Sequence, residues 1–135
     1  MTITIYNRNE LYNIPLEAII YLKAEDHYTA AYYHNGSRVL VPVGLSRLAH
    51  IIASHTDFDA LFIHAGRSYI IGRKHISFIN VMKETISFFA IDGKLLTITL
   101  PKARLRALMV AMNCGAGADA GPGYVLKATQ DVGGG

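Results

Sequence analysis

The chain has one cysteine, Cys114, and no tryptophan among its 135 residues. A single thiol excludes an intrachain disulfide and any multi-cysteine zinc site, and it fits a reducing compartment. No apolar run reaches the roughly 18 residues that a membrane helix needs. The opening MTITIYNRNELYN lacks a basic segment followed by a long apolar one, so it does not read as a secretory signal. A cytoplasmic location without membrane attachment is expected. Charge is sparse at 17% of residues, while 51% are hydrophobic, a globular rather than a disordered composition. The length suits one domain.

The charge that is present is unevenly placed. Residues 1–66 carry four Lys/Arg against six Asp/Glu, whereas residues 67–106 carry eight against two. A block that basic points to a polyanionic partner, although a solvated surface has the same composition. Within it lies FIHAGRSYIIGRKHI, residues 62–76. An apolar strand breaks at Ala65-Gly66, presents Arg67 and Ser68, becomes apolar again through Ile71, and opens at Gly72 onto Arg73-Lys74-His75. Two nearby turns carrying cations are expected from this pattern.

Most of the chain reads as β. Residues 2–6 alternate threonine with apolar residues, and Ala18–Lys23 is a second strand candidate. His27–His34 and Arg38–Val43 flank Asn35-Gly36, while Glu84–Ile91 and Lys94–Leu100 flank Asp92-Gly93. Both dipeptides tolerate positive φ and mark tight hairpins. Residues 61–65 and 68–71 are short strand candidates. Residues 45–54 gather Leu45, Leu48, Ala49, Ile51 and Ile52 on one helical face. Pro101 opens a second helix through Met112, with Lys102, Arg104 and Arg106 in its first turns. Cations there oppose the helix dipole, and they suit a solvated surface or a nearby anion. The predicted fold is mainly β, an elongated stack of antiparallel β-sheets with two short α-helices. The organisation is one domain over residues 1–113 and a flexible tail over 114–135, which holds seven Gly and four Ala. Tyr124–Thr129 is the one tail segment with the composition to add to a sheet edge or to a neighbouring molecule.

Taken in order, these pieces resemble the LytTR-type DNA-binding domain, the output module of many bacterial response regulators. IPLEAIIYLKAEDHYTAAYYHNG is similar to its opening strands and aromatic-containing loop, and VGLSRLAHIIA to its short helix. FIHAGRSYIIGRKHISFI is similar to its most characteristic stretch, and IDGKLLTITLPKARLRAL to its terminal hairpin and helix. The likeness covers about residues 4–112, so the domain is expected to stand alone. Gly66 stands where the family pattern has His, Gly72 where it has Asn, and Pro101-Lys102 where it has Ser-Arg.

The resemblance implies sequence-selective binding of duplex DNA by a transcriptional regulator, with inter-strand loops entering the major groove. It also implies direct-repeat targets and pairing with a second copy on DNA. Base contacts would come from near His27, Tyr28 and Thr29, from Gly72 or its neighbours, and from Lys102. Arg73 and Lys74 would hold phosphate, and Lys102 would reach a guanine edge. Arg104 belongs to the same basic helix start. Arg67 suits either phosphate or a carboxylate such as Asp57 or Asp59, and Ser68 suits a backbone-capping hydroxyl. Glu25 and Asp26 beside His27 would repel phosphate.

The six histidines show no metal-ligand spacing. No segment resembles a nucleophile elbow or an oxyanion loop, so neither an enzyme nor a metal or other cofactor is expected. The alternative is a degenerate LytTR-like module for protein interaction or dimerisation, without specific DNA binding. A continuous positive stripe through Arg67, Arg73, Lys74 and Lys102 would favour DNA, and scattering of these residues would favour the alternative.

Overall fold

The Asn35-Gly36 dipeptide turns the chain as its chemistry requires. Gly36 adopts φ +90°, and its N–H donates to the Tyr33 carbonyl at 2.9 Å. The strands it joins are β4 (Tyr28–Tyr33) and β5 (Arg38–Val41). The computed structural model describes residues 1–90, 93, 95–114 and 118–128. Before this hairpin come β1 (Thr2–Tyr6), β2 (Leu11–Pro15) and β3 (Ile19–Glu25). After it come α1 (Leu45–Ala53), α2 (Phe58–Leu61), β6 (Phe62–Ala65), β7 (Tyr69–Gly72), β8 (Ile76–Asn80) and β9 (Thr85–Phe88). β10 (Leu96–Thr99), α3 (Lys102–Ala111), β11 (Ala118–Gly121) and β12 (Tyr124–Leu126) complete the order.

All strand pairs are antiparallel. A five-stranded sheet in the order β5-β4-β3-β7-β6 forms the middle of the stack. One face buries Leu22, Ala31, Phe62 and Ile70 against Ile3 and Ile14 of the β1–β2 hairpin and Leu48 and Ile52 of α1. The other face buries Ile63 and Ile71 against Ile86 and Phe88 of the three-stranded sheet β10-β9-β8 and Leu105 and Leu108 of α3. Each fully buried Leu, Ile or Phe contributes about 1.5–3 kcal/mol of apolar transfer free energy. The expected stack of antiparallel sheets is therefore what forms.

The register of β3 contains one irregularity. Ile19 faces Tyr33 and Tyr21 faces Tyr32, so Ile20 is an extra residue, a β-bulge. Strict alternation would send Ile20 and Tyr21 to opposite faces, yet both join the second core while Ile19 and Leu22 join the first.

The helices expected at 45–54 and 101–112 form as α1 and α3, and the one-turn α2 is additional. β2 and β8 are also additional. The Asp92-Gly93 hairpin signal is matched by pairing of β9 with β10 and by φ +78° at Gly93. Ile91, Asp92 and Lys94 lie outside the described residues. In the tail, β11 pairs with β12 as a small hairpin of its own, and Lys127 Nζ donates to the Met112 carbonyl. Thr129, the end of the segment singled out for strand addition, lies outside the described residues. Among the described residues no helix is long and apolar enough to cross a membrane.

Candidate nucleic-acid interface

Three chain segments meet at one end of the five-stranded sheet. The first is the two-residue turn between β3 and β4, where Glu25 pairs with Tyr28 and Asp26 takes φ +59°. The second is the Gly66–Ser68 turn between β6 and β7. The Ser68 carbonyl accepts a hydrogen bond from the Ala24 N–H at 2.8 Å, which fastens this turn beside the end of β3. The third is the start of α3. A cleft of about 380 Å³ is lined by Gly66, Arg67, Ser68, Pro101 and Arg104, so the second and third segments share one surface.

α1 begins at the same end. Its capping residue Gly44 lies close to the His27 carbonyl, with a Cβ position 3.9 Å away, and Arg67 lines a cleft with Leu45 and Ser46. Both long helices therefore start at this end, and neither has an acidic residue in its first turn. Free N–H groups and the positive end of each helix dipole add to the cations there.

The side chains brought together are Arg67, Ser68, Lys102, Arg104, His27 and Tyr28, all exposed. Among the described residues none of the three cations pairs with a carboxylate, so Arg67 does not bridge to Asp57 or Asp59. The nearby acids matter less than the sequence suggests. Glu25 Oε1 stands 3.7 Å from Lys23 Nζ and 3.8 Å from Arg38 Nη2, which partly neutralises it. Asp26 Oδ1 stands 3.8 Å from His27 Nε2.

Other expected contacts fall elsewhere. The two basic turns are not neighbours. β7 runs between them, and four extended residues span about 13 Å at roughly 3.3 Å each. Gly66–Ser68 and Arg73–His75 thus sit at opposite ends of the sheet. Arg73 is half-buried and occupied, its Nε donating to the Asp59 carbonyl at 2.7 Å and its Nη2 to the Ala111 carbonyl at 3.2 Å. It ties α2 and the end of α3 to the sheet. Lys74 is exposed at that far end, near Glu17. The Glu17 carboxyl is held below its ordinary range, first by hydrogen bonding to the amino-terminal ammonium and more weakly by the charge of Lys74. The stripe through Arg67, Arg73, Lys74 and Lys102 is therefore not continuous.

Gly72 is a packing position. A Cβ there would stand 2.3 Å from the Ile19 carbonyl and 3.0 Å from the Ile20 carbonyl, so the bulge in β3 requires glycine. An asparagine side chain would not fit on this backbone. Thr29 is fully buried, and its hydroxyl donates to the Val43 carbonyl at 2.7 Å, holding the chain that leads into α1. That hydroxyl is out of reach of a ligand. Sequence reasoning passed over the α1 flank, where Ser46, His50 and His64 are exposed around Arg67. The usable signal was the short link from β5 to α1, which returns the helix start to the end of the sheet that carries Arg67.

Cations are thus presented on an inter-strand turn and a helix start at one end of a β stack. Residues 9–112 match the LytTr DNA-binding domain family, and the chain belongs to that family. The fold is also that of a solved structure, the LytTr DNA-binding domain of a Bacillus cereus protein described as a methyl-accepting/DNA response regulator. The TM-score is 0.55 at 16% identity, over 82% of this chain and 95% of that one. No curated protein matches the sequence.

Proposed function

We propose that residues 1–113 bind duplex DNA sequence-selectively as the output domain of a bacterial transcriptional regulator, with 114–135 as an appendage. The observation that carries this reading is the convergence of Arg67, Lys102 and Arg104 with His27 and Tyr28 at one end of the stack. Arg67, on a projecting turn, enters the major groove. Its planar fork suits guanine O6 and N7. Lys102 reads or positions from the α3 start, and Arg104 holds phosphate. His27 and Tyr28 reach the groove from the neighbouring turn. Direct-repeat targets bring two copies side by side.

The test is binding to a random duplex pool at two salt concentrations, with sequencing of the bound fraction. Salt-sensitive retention with an enriched repeated motif is the expected result. Two phosphate-neutralising cations, Arg104 and Lys102, would give a log–log salt slope of about −1.8, at about −0.9 for each phosphate. Retention without enrichment would reduce the function to non-specific binding, and no retention at low salt would sink it.

A second reading, which the separation of Arg73 and Lys74 from Arg67 and Lys102 favours, is a protein-interaction or dimerisation module. It draws on the exposure of Phe78, Met82 and Phe89, 51%, 72% and 55% respectively, on or beside the three-stranded sheet. Exposed large apolar residues mark interaction surfaces when they cluster. This reading predicts self-association that replacing Phe78 with Ser abolishes, with no DNA retained.

A further inference from the structure

The Gly66–Arg67 turn is a ridge with a cleft on each side. The cleft toward α3 contains Arg104. The cleft toward α1, of about 610 Å³, has a floor of Leu45 and Ala49 and a polar rim of Ser46, His50, His64 and Arg67. We propose that this second cleft is a track for one sugar–phosphate strand of the bound duplex, with Ser46, His50 and His64 as phosphate contacts beside Arg67. The proposal rests on the DNA-binding reading and deepens it.

The geometry follows from local structure. Ser46 and His50 are four residues apart on α1 and so lie on one face, a turn apart. That face looks toward β6, the edge strand of the five-stranded sheet. On β6, residues two apart share a face, so His64 emerges on the same side as Phe62, toward α1. Its ring stacks on Phe58 with centroids 5.1 Å apart, which fixes its position at the rim. Both imidazoles are exposed, and among the described residues neither pairs with a carboxylate.

A ridge that enters a major groove about 12 Å wide has a phosphate strand on either side of it. On the α3 side Arg104 meets one strand. On the α1 side the groups able to meet the other are the Ser46 hydroxyl and the two imidazoles. Among the described residues the charged groups that line the two clefts holding the histidines are Arg67 and one carboxylate, Asp59. Asp59 lines a smaller cleft of about 300 Å³ that shares Ala49, His50 and His64 with the first. It closes the track at the end away from Arg67.

The experiment is fluorescence anisotropy of the full chain on a labelled duplex of mixed sequence, over a salt series. The variants are the pair His50→Ala/His64→Ala and the single His50→Lys. A thermal melt confirms folding of each. The Ala pair should bind several-fold more weakly than the unaltered chain. His50→Lys should bind several-fold more tightly, with a salt slope steeper by about 0.9 for one added phosphate contact.

DNA binding in which the Ala pair binds as the unaltered chain does, or in which His50→Lys gains nothing, overturns the track and leaves the DNA-binding reading intact. No binding of the unaltered chain at low salt overturns both.

Discussion

The guanidinium of Arg104 lies across Gly66. A methyl group on that glycine would stand 3.0 Å from Nε and 3.2 Å from Cζ. Gly66 also holds φ +74°, a left-handed conformation that disfavours a side chain. The missing side chain therefore does two things: it permits the turn that projects Arg67, and it leaves room for a second cation beside the first. Gly66→Ala should destabilise the fold by about 1–2 kcal/mol through the left-handed backbone. It should also displace Arg104 and weaken DNA binding. Urea denaturation and anisotropy titration measure the two effects. Arg104→Ala should reproduce the loss of affinity without the loss of stability. A Gly66→Ala chain that is less stable but binds as before would show that Arg104 acts independently of its seat.

Gly72 should behave differently although it opens the other basic turn. Its Cα lies under the Ile19 and Ile20 carbonyls, and a Cβ at 2.3 Å from backbone oxygen cannot be absorbed by a rotamer change. Gly72→Ala should cost about 3 kcal/mol or more, as overpacking into rigid backbone does. A shift of the denaturation midpoint measures it. A cost below about 1 kcal/mol would mean that the bulge in β3 yields easily.

These two glycines show what the sequence discloses and what it withholds. Local chemistry was legible: Asn35-Gly36 and Pro101 mark a turn and a helix start, and the apolar face of 45–54 marks α1. Cations on turns were legible as candidates. Their grouping was not, because it depends on β7 lying between β3 and β6, a pairing across more than forty residues that no local pattern encodes. The bulge was hidden for a related reason. Ile19-Ile20-Tyr21-Leu22 is apolar throughout and is buried on both faces, so alternation carries no information there. α2 is one turn long, too short for a helical period to register. Arg73 reads as a free cation in sequence, and only the fold brings the Asp59 and Ala111 carbonyls to it.

Arg67 and Arg73, alike in sequence, should therefore separate in experiment. Arg73 makes two charge-assisted hydrogen bonds to backbone carbonyls, one on each of two helices. Arg73→Ala should lower stability by about 2 kcal/mol, the scale of hydrogen bonds to charged groups, and leave the salt slope of DNA binding unchanged. Arg67 is exposed and unpaired among the described residues. Arg67→Ala should change stability by less than about 0.5 kcal/mol. It should also weaken binding to the enriched motif and relax the preference for guanine at the position Arg67 reads. The reverse assignment of effects would exchange the structural and the DNA-facing ends of the sheet.

The far end of the sheet carries a pH dependence of stability. His75 stacks on His34 with centroids 5.6 Å apart and ring planes within 17°. Its Nε2–H donates to the Glu17 carbonyl at 2.7 Å. Burial pushes its pKa below the ordinary value, the charges of Lys74 and His34 add to that, and the hydrogen bond to Glu17 opposes it. A group with a depressed folded pKa binds its proton more readily when the chain is unfolded. Unfolding then takes up a proton in the window between the two values, and stability rises with pH across it. The stability is intact above the unfolded value of about 6.5 and is lost as pH falls through the lower folded value. The melting temperature should therefore drop on acidification below neutrality. His75→Gln, which keeps a donor to the Glu17 carbonyl but cannot take a proton, should reduce that drop by a few degrees. Parallel melting curves of the two chains against pH measure the difference. Curves that fall together would assign the acid sensitivity to groups other than His75.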